Sequence, residues 1–372
     1  MKVTVERAAL LKSLGHVHRV VERRNTIPIL ANVLIRAESG RLSLKATDLD
    51  LEVIEGVAGE TEQAGATTVP AHMIYDIVRK LPDGAQIVLD TLADRASLAI
   101  RAGRSRFTLQ TLPESDFPDL AAGEMTHRFT VGAKDLKRLV DKTQFAISTE
   151  ETRYYLNGIY LHTAGPETAP VLRAVATDGH RLAQVELPAP AGAAGMPGII
   201  VPRKTVGEMQ RLIEDGVAEV EIELSATKIR FAIGDVRLTS KLIDGTFPDY
   251  GRVIPLGNDK ELVVDKADFG AAVDRVSTVS SERGRAVKLS LAPGRLVLSV
   301  TNPDSGSATE ELEVDYNAEP LDIGFNSRYL LDIAAQIDGE IAVLKLADPG
   351  SPTLIRDRAA EGALYVLMPM RV

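Results

Sequence analysis

The chain has 372 residues, of which 45% are hydrophobic and 4% aromatic, and it contains neither cysteine nor tryptophan. The absence of cysteine excludes a disulfide framework, a thiolate zinc site and a cysteine nucleophile. The formal net charge of −9 argues against a uniformly basic nucleic-acid binder, so a cationic surface would require an uneven distribution of charge.

The first residues, MKVTVERAALLKSLG, lack the apolar run that is typical of a signal peptide. No stretch of the chain approaches the ~18 consecutive apolar residues of a membrane-spanning helix. We therefore expect a cytoplasmic location and no membrane partner.

The sequence repeats itself at an offset of about 130 residues, a period that suits a whole domain rather than a solenoid unit. The tripeptide ATD at 46–48 returns at 176–178, and the pair Val69-Pro70 returns as Val201-Pro202. The segment SRFTLQTLPESDFPD at 105–119 returns as VRLTSKLIDGTFPD at 236–249, and a fainter third copy begins at Glu261. The chain is therefore interpreted as one unit used three times.

Each repeat opens with a short alternating strand, KVTVE, HRFTV or ELVVD, followed by apolar residues at helical spacing. These apolar positions are Leu10, Leu14, Val17 and Val21 in the first repeat, Leu136, Val140, Thr143 and Ile147 in the second, and Phe269, Val273, Val276 and Val279 in the third. A second helix is predicted over 70–81, 202–213 and 327–337, with Pro70 and Pro202 in the first turn.

The other apolar runs predict strands, which gives two helices and about eight short strands per repeat. Strands in runs, rather than in strict alternation with helices, are typical of α+β domains with antiparallel sheets. We predict three domains, at 1–120, 128–253 and 254–372. FPD ends the first and second repeats, and we interpret it as part of the connector between domains.

Basic residues concentrate on one face of several predicted helices. They are Lys12, His16, Arg19 and Arg23 on the first helix, Lys134, Lys137, Arg138 and Lys142 on its counterpart in the second repeat, and Arg79, Lys80, Lys204 and Arg211 on the second helices. The third repeat offers only Lys266, Arg275 and Arg328, among acidic residues. Such a face is usually solvated, but its recurrence also fits one electropositive surface that faces nucleic acid.

The segment ATDGHRL at 176–182 places Asp178 near His180, the kind of pair that a hydrolase uses for acid–base chemistry. Asp48 holds the equivalent place in the first repeat with no histidine beside it. The repeated Thr-Asp therefore favours a turn in which both side chains accept hydrogen bonds from backbone amides. The sequence also lacks a glycine-rich phosphate loop and an HExxH motif. We expect no catalytic residue, no metal and no cofactor.

Two segments suggest recognition of a ligand. Tyr154 and Tyr155 follow Arg153, a cluster suited to phosphates and stacked bases, although strand tyrosines that are half buried would look the same. The C-terminal VLMPMRV keeps two methionines and a proline, which suits an adaptable groove for several peptides. The alternative is an edge strand that completes the third repeat.

Eight motifs together resemble the bacterial sliding clamp family, the β subunit of DNA polymerase III, and they span the chain: PILANVL, ATTVPA, GRSRFTLQTLP, RYYLNGIYL, ATDGHRLA, VPRK, SKLIDGTFPDY and YVLMPMR. The resemblance implies three similar α+β domains per chain and two chains closed head to tail into a six-domain ring. Helices would line the pore, and sheets would form the outer shell.

The resemblance also implies a function without bond chemistry. The ring encircles double-stranded DNA, so that retention is topological, and it serves as the processivity subunit of a nucleotidyltransferase holoenzyme. Implied partners are a second copy of the chain, the DNA polymerase III α subunit, the clamp loader complex, and translesion polymerases and repair proteins that carry a clamp-binding peptide.

The resemblance assigns three groups of site residues by matching motif positions. A pocket for partner peptides comprises Leu156, Thr177, Gly179, His180, Arg181, Leu182, Pro248, Val253, Val366, Met368, Pro369, Met370 and Arg371. DNA contacts fall to Arg24, Tyr154, Tyr155 and Lys204. The interface between the two chains joins Phe107 and Leu109 on one side to Thr278 and Val279 on the other.

Two other hypotheses compete with this one. The acidic composition and the weakly basic third repeat also fit a monomeric three-domain scaffold that binds peptides but no DNA. The second competing hypothesis is a hydrolase that uses Asp178 and His180.

Overall fold

The computed structural model describes residues 1–92, 96–120, 123–214, 216–280 and 285–372. These residues divide into two units. The first comprises Met1–Leu136, Pro190–Pro197 and Lys204–Leu242, and the second Lys137–Ala189, Gly198–Arg203 and Ile243–Val372. No helix among the described residues is long and apolar enough to span a membrane.

The first repeat contains two helices, α1 (Arg7–Val17) and α2 (Ala71–Lys80). Its strands are β1 (Lys2–Glu6), β2 (Asn32–Glu38), β3 (Arg41–Thr47), β4 (Leu51–Ala58), β5 (Glu60–Gln63), β6 (Gly65–Pro70), β7 (Gln86–Thr91), β8 (Ser97–Ala102) and β9 (Ser105–Gln110).

The second repeat contains helices α3 (Ala133–Asp141) and α4 (Arg203–Leu212). Its strands are β10 (His127–Gly132), β11 (Gly158–Ala164), β12 (Val171–Thr177), β13 (Arg181–Pro188), β14 (Ile199–Pro202), β15 (Glu219–Leu224), β16 (Lys228–Ile233) and β17 (Val236–Lys241).

The third repeat contains helices α5 (Lys266–Ser277) and α6 (Ser327–Ala334). Its strands are β18 (Lys260–Asp265), β19 (Ala286–Ala292), β20 (Arg295–Asn302), β21 (Gly306–Glu313), β22 (Asp315–Tyr316), β23 (Leu321–Asn326), β24 (Ile341–Leu346), β25 (Thr353–Asp357) and β26 (Ala363–Leu367).

The strand order confirms the internal repeat. One set of four strands recurs as β9-β8-β7-β1, β17-β16-β15-β10 and β26-β25-β24-β18. The other set recurs as β4-β3-β2-β6, β13-β12-β11-β14 and β21-β20-β19-β23. All of these pairings are antiparallel, as the runs of strands predict.

The middle repeat contributes one set of strands to each unit. In the first unit β17 pairs with β4, from Val236 opposite Glu55 to Ser240 opposite Leu51. In the second unit β26 pairs with β13. Each join makes one continuous sheet from two repeats, of eight strands in the first unit and nine in the second, whereas β9 and β21 stand at the ends of their sheets.

The helices lie where the periodicity predicts them, and side-chain caps set several of their starts. The Asp265 carboxylate accepts from the amides of Ala267 and Asp268 at 2.8 and 2.9 Å at the start of α5, satisfying donors with no partner inside the helix. Asn326 caps α6 in the same way.

Several predicted helix ends are wrong by a few residues. The apolar spacing extends α1 to Val21, but the helix ends at Val17 and the Val21 amide donates to the His18 carbonyl in a tighter turn. In the second repeat the Thr143 hydroxyl donates to the Leu139 carbonyl at 2.6 Å just after α3 ends. Both residues are buried, so the core preserves the apolar spacing after the helix has stopped. Pro70 and Pro202 are the last residues of strands, and α2 and α4 begin one residue later than predicted, at Ala71 and Arg203.

Candidate functional site: an apolar cavity in the second unit

A cavity of about 240 Å³ opens on the second unit, where four segments of the chain meet. It is lined by Arg153, Tyr155, Leu156, Thr177, Gly179, His180, Arg181, Leu182, Pro248, Asp249, Tyr250, Val253, Val366 and Met368. Of these, Val253 and Met368 are 47% and 40% exposed. Apolar side chains left open around a concavity are typical of sites that bind another molecule.

The floor of the cavity belongs to a buried apolar cluster, which spans both repeats of the nine-stranded sheet and includes the lining residues Leu156, Leu182 and Val366. Its members are Leu156, Val175, Leu182, Ile200, Phe247, Leu354 and Val366. Phe247 of the second FPD is a buried member of this cluster, 8% exposed, and Pro248 and Asp249 of the same tripeptide line the cavity. Because Leu182 and Val366 face each other across the β13–β26 pair, the sheet itself fixes two wall positions.

The turn between β12 and β13 forms one wall, and the prediction of an amide-binding turn is confirmed there. The Asp178 carboxylate accepts from the amides of His180 at 2.9 Å and Arg181 at 3.0 Å, and the Thr177 hydroxyl accepts from Gly179. Asp48 holds the amides of Asp50 and Leu51 in the equivalent turn of the first repeat. Asp178 therefore contacts His180 through backbone, not as an acid–base pair of side chains.

Gly179 meets two requirements in this turn. Its φ of +89° lies in the region that disfavours side chains, and a Cβ there would lie 2.4 Å from Nη1 of Arg153. Arg153 crosses over this glycine to donate to the Asp178 carbonyl at 2.9 Å. The other side of its guanidinium pairs with Glu150, and this hydrogen bond lowers the pKa of the Glu150 carboxyl.

Arg181 lines the cavity, but its guanidinium is engaged by neighbouring groups of the protein. Its guanidinium donates to Asp178 at 3.1 Å, to Asp332 at 2.5 Å and to the Phe145 carbonyl at 2.8 Å. It also lies over the Tyr329 ring, 4.2 Å from the centroid. With its side chain only 10% exposed, Arg181 is positioned to hold the turn, and its charge is already matched by two carboxylates.

The structure brings most of the predicted pocket residues together, and three lie elsewhere. Leu156, Thr177, Gly179, His180, Arg181, Leu182, Pro248, Val253, Val366 and Met368 line the cavity. Pro369, Met370 and Arg371 are not among the described residues that line it. Instead the Met370 amide donates to the Gly324 carbonyl at 2.9 Å, so the chain turns away after Met368 and docks beside β23.

The C-terminal segment matches neither interpretation of its sequence completely. Residues up to Leu367 form β26, which lies between β13 and β25 and is not an edge strand. Met368 alone from the final methionine–proline segment reaches the cavity.

Sequence reasoning did not assign Arg153, Asp249 and Tyr250 to the pocket, although all three line the cavity. Asp249 and Tyr250 immediately follow Pro248, and this adjacency to a predicted pocket residue could have indicated that they line the cavity. Tyr155, predicted to contact DNA, lines the cavity as well.

The remaining residues predicted to contact DNA differ in their surroundings. Arg24 is exposed and Tyr154 is 53% exposed. Lys204 is held by Glu22 and by Asp48, the latter at 2.6 Å. Burial alone would lower the pKa of Lys204, but hydrogen bonds to Asp48 and Glu22 outweigh it and raise the pKa.

Two members of the predicted basic face are not available to a ligand. His16 lies between Glu55 at 2.7 Å and Glu214 at 3.0 Å with its side chain 14% exposed. Lys142 is 8% exposed and pairs with Asp338 at 2.8 Å. The prediction of a cationic surface is wrong for these two residues, because helical spacing does not show which polar residues meet a carboxylate.

The predicted interface residues lie on or near β9 and β21, each of which ends one sheet. Phe107 on β9 is 37% exposed, whereas Leu109 on the same strand is 6% exposed and packs within its own sheet. Thr278 is exposed and Val279 half buried just after α5, and the Val279 carbonyl accepts from Asn302 of β20 at 3.0 Å.

Known proteins similar to this chain match it from end to end. Family models of the DNA polymerase III beta subunit match its N-terminal domain at 1–121, its central domain at 130–249 and its C-terminal domain at 251–371. The beta sliding clamps of Caulobacter vibrioides and Escherichia coli are 56% and 41% identical, each alignment covering 100% of both proteins. A solved DnaN sliding clamp (DNA polymerase III subunit beta) from Bartonella birtlesii, bound to griselimycin, is 60% identical with a TM-score of 0.97, covering 100% of both chains.

Proposed function

The chain belongs to the DNA polymerase III beta subunit family, the bacterial sliding clamps, and from this we propose that two copies close around duplex DNA and tether proteins through the cavity. Members of this family are non-catalytic processivity factors. The observation that supports the tethering role is the cavity, whose lining includes the apolar side chains of Leu182, Val366 and Met368.

The closure follows from a join that the chain already makes twice. Strand β17 pairs with β4, and β26 pairs with β13. In each case the last strand of one repeat pairs with a strand of the preceding repeat, and the two partners, β4 and β13, hold equivalent places in their repeats. The third pair of equivalents, β9 and β21, stands unpaired at two sheet ends. Pairing β9 of one copy with β21 of another makes the same join head to tail, and two copies satisfy both edges.

The side chains of the two edges are complementary. Arg104 and Arg106 lie at or next to β9, and Glu310, Glu311 and Glu313 lie on β21. Within the chain Glu310 already pairs with Arg275 and Glu311 with Arg295, so Glu313 is the glutamate for which no such ion pair is seen among the described residues. Opposite charges steer such edges together and disfavour pairing of either edge with itself. Phe107 adds exposed apolar surface at the same edge, whereas Leu238, its counterpart in the sequence repeat, is fully buried on the joined strand β17.

Retention on DNA is topological in this proposal. A closed ring needs no tight phosphate contact, which fits a chain of net charge −9 whose Lys204 is already paired with two carboxylates. Exposed Arg24 and Tyr154 offer direct, salt-sensitive contact with duplex DNA. A tethered polymerase meets its template at high effective concentration, which is the physical basis of processivity.

The partners of the cavity are proposed to be peptides with leucine and phenylalanine anchors. The aromatic and aliphatic lining around Leu182, Val366 and Met368 suits such anchors. Through these peptides the cavity would serve the DNA polymerase III α subunit, the clamp loader complex, translesion polymerases and repair proteins in turn, in the bacterial cytoplasm. One groove lined partly by adaptable methionine fits several partners.

The test of ring closure is the mass in solution followed by retention on DNA. Wild type should sediment at about twice 40.1 kDa, and Phe107→Glu should sediment as a monomer. The control Arg36→Glu changes an exposed residue on β2, a strand that pairs with neither β9 nor β21, and this variant should stay dimeric. Protein loaded on a nicked circle should remain bound until the circle is cut, and equal retention on linear DNA with free ends would contradict threading.

A further inference from the structure

A chain of hydrogen bonds stands behind Tyr250, one of the cavity-lining residues. Nη1 of Arg173 donates to the Tyr250 hydroxyl oxygen at 3.0 Å, and that oxygen lies 2.9 Å from Nε2 of His162. On the far side of the imidazole, Nδ1 lies 2.9 Å from the Thr163 carbonyl oxygen. The three side chains thus connect the cavity wall to strands β11 and β12.

The direction of each hydrogen bond follows from the chemistry of the groups. A carbonyl oxygen only accepts, so Nδ1 of His162 must carry the proton. In a neutral imidazole Nε2 is then an acceptor, and the Tyr250 hydroxyl donates to it. Arg173 can only donate, so it occupies a lone pair of the same hydroxyl. Every partner of Tyr250 is satisfied when His162 is neutral and in this tautomer.

The groups around His162 oppose a second proton on its ring. Burial lowers the pKa of His162, and the nearby charge of Arg173 lowers it further. Arg173, opposite His162 on β12, pairs with Glu186 of β13 at 2.8 Å, so that carboxylate is engaged. Tyr160, which lies on β11 with His162, stacks on the imidazole with the ring centroids 4.6 Å apart. The Tyr250 ring also packs against the imidazole, with the centroids 5.8 Å apart. The arrangement of hydrogen bonds therefore matches a neutral His162.

We propose that Arg173 and His162 position Tyr250 as a wall of the cavity, and that protonation of His162 releases this wall and weakens peptide binding. A proton on Nε2 turns the acceptor of the Tyr250 hydroxyl into a second donor, beside the guanidinium of Arg173. The Tyr250 hydroxyl then accepts from two cations and has no acceptor for its own proton, and the repulsion between the two charges loosens its hold on the ring. This role rests on the proposed function of the cavity as a peptide site.

Ring packing connects the position of Tyr250 to Phe247 of the buried cluster at the cavity floor. Tyr160 is stacked between His162 and Phe247, with centroids 4.6 and 4.8 Å away. Tyr250 meets the edges of Tyr160 and Phe247 at 6.4 Å each. Displacing the Tyr250 ring therefore opens the side of the cavity that rests on Phe247.

The test measures the affinity of a labelled peptide with leucine and phenylalanine anchors by fluorescence anisotropy at pH 7.5 and 5.5. Wild type should bind more weakly at pH 5.5 than at pH 7.5, by up to about fivefold, which is the effect of one hydrogen bond once His162 is fully protonated. In His162→Gln an amide can still accept from Tyr250 but takes up no proton, so its affinity should change less than about twofold. Tyr250→Phe should be weakened at both pH values alike.

Two comparisons isolate the effect from other histidines. His180 on the cavity wall is unchanged in all variants, so its contribution cancels between them. His127→Gln alters a histidine of the first unit and should reproduce the wild-type pH dependence. Thermal unfolding at each pH checks that every variant is folded. If His162→Gln loses affinity at pH 5.5 as steeply as wild type, the proposal is overturned.

A separate readout judges the hydrogen-bond chain without any peptide. The ¹⁵N spectrum of the imidazoles at pH 7.5 should show His162 neutral with its proton on Nδ1, and a proton on Nε2 instead would overturn the proposal. Failure of wild type to bind the peptide at pH 7.5 would count against the proposed function of the cavity, and this spectrum would still decide the state of His162.

Discussion

Removing the C-terminal residues in two steps tests which part of the segment forms the binding site. Deleting Met370–Val372 removes the hydrogen bond of Met370 to Gly324 but leaves Met368 on the cavity wall. Deleting Met368–Val372 removes that wall as well. The backbone of Met368 is held independently, since its amide donates to the His180 carbonyl at 2.9 Å. The shorter deletion should therefore keep the wall.

The expected loss follows from the exposed surface of Met368. Complete burial of a methionine side chain is worth about 1.5–3 kcal/mol, and Met368 is 40% exposed in the free protein. Covering the exposed part contributes on the order of 1 kcal/mol, and the peptide side chain that covers it contributes a similar amount. Losing about 2 kcal/mol weakens binding roughly 30-fold.

Fluorescence anisotropy with the labelled peptide measures both deletions against wild type. The shorter deletion should cost less than about threefold, and the longer one roughly 30-fold, while sedimentation and thermal unfolding show that both remain folded dimers. Both deletions could instead lose affinity equally while the protein stays folded. The residues beyond Met368, and not the Met368 side chain, would then support the peptide, and the assignment of Met368 to the cavity wall would be refuted.

Three further outcomes are expected. The hydrogen bond to Glu55 raises the pKa of His16 above 6.5. The stability that His16 adds should therefore be full below pH 6.5 and be lost as the pH rises through the raised pKa. Chemical denaturation from pH 5.5 to 8.5 should show that the difference in unfolding free energy between wild type and His16→Gln shrinks as the pH rises. Gly179→Ala should lower stability by about 1–2 kcal/mol because of the positive φ, and should weaken the peptide by displacing Arg153, whereas unchanged affinity would show that Arg153 is not needed there. Exchanging charges by Arg106→Glu should weaken the dimer in sedimentation, and adding Glu311→Arg should restore it if the two edges pair.

The fold was predictable from sequence because its signals are local and repeated three times. Strand KVTVE and the apolar spacing after it predict β1 and α1, and the same signals in the other repeats predict their counterparts. The helix ends were not predictable. Val21 keeps the helical spacing and is 3% exposed, yet it lies in a turn beyond α1. Burial, which the spacing reports, does not require that the backbone stay helical.

The site was predictable only where a motif lies on a turn. The Thr-Asp turn could be inferred because its two oxygens act within four residues of sequence. The path of the C-terminal segment could not, since it depends on Met370 meeting Gly324, far away in the chain. The same holds for Tyr250, whose partners His162 and Arg173 lie on strands that a single sequence does not align.

Ion pairing among the basic residues explains how an acidic chain can suit mobile contact with DNA. Lys204 already has Glu22 and Asp48 as partners, so in the proposed DNA contact a phosphate would compete with two carboxylates instead of filling an empty site. Each phosphate neutralised steepens the dependence of affinity on salt, with a slope of about −0.9 per contact. A ring that binds few phosphates directly loses little affinity when one contact breaks, and it can move along the duplex. We infer that the carboxylates beside Lys204 weaken DNA contact, so Glu22→Gln should raise the salt-sensitive affinity of the unloaded protein for duplex DNA.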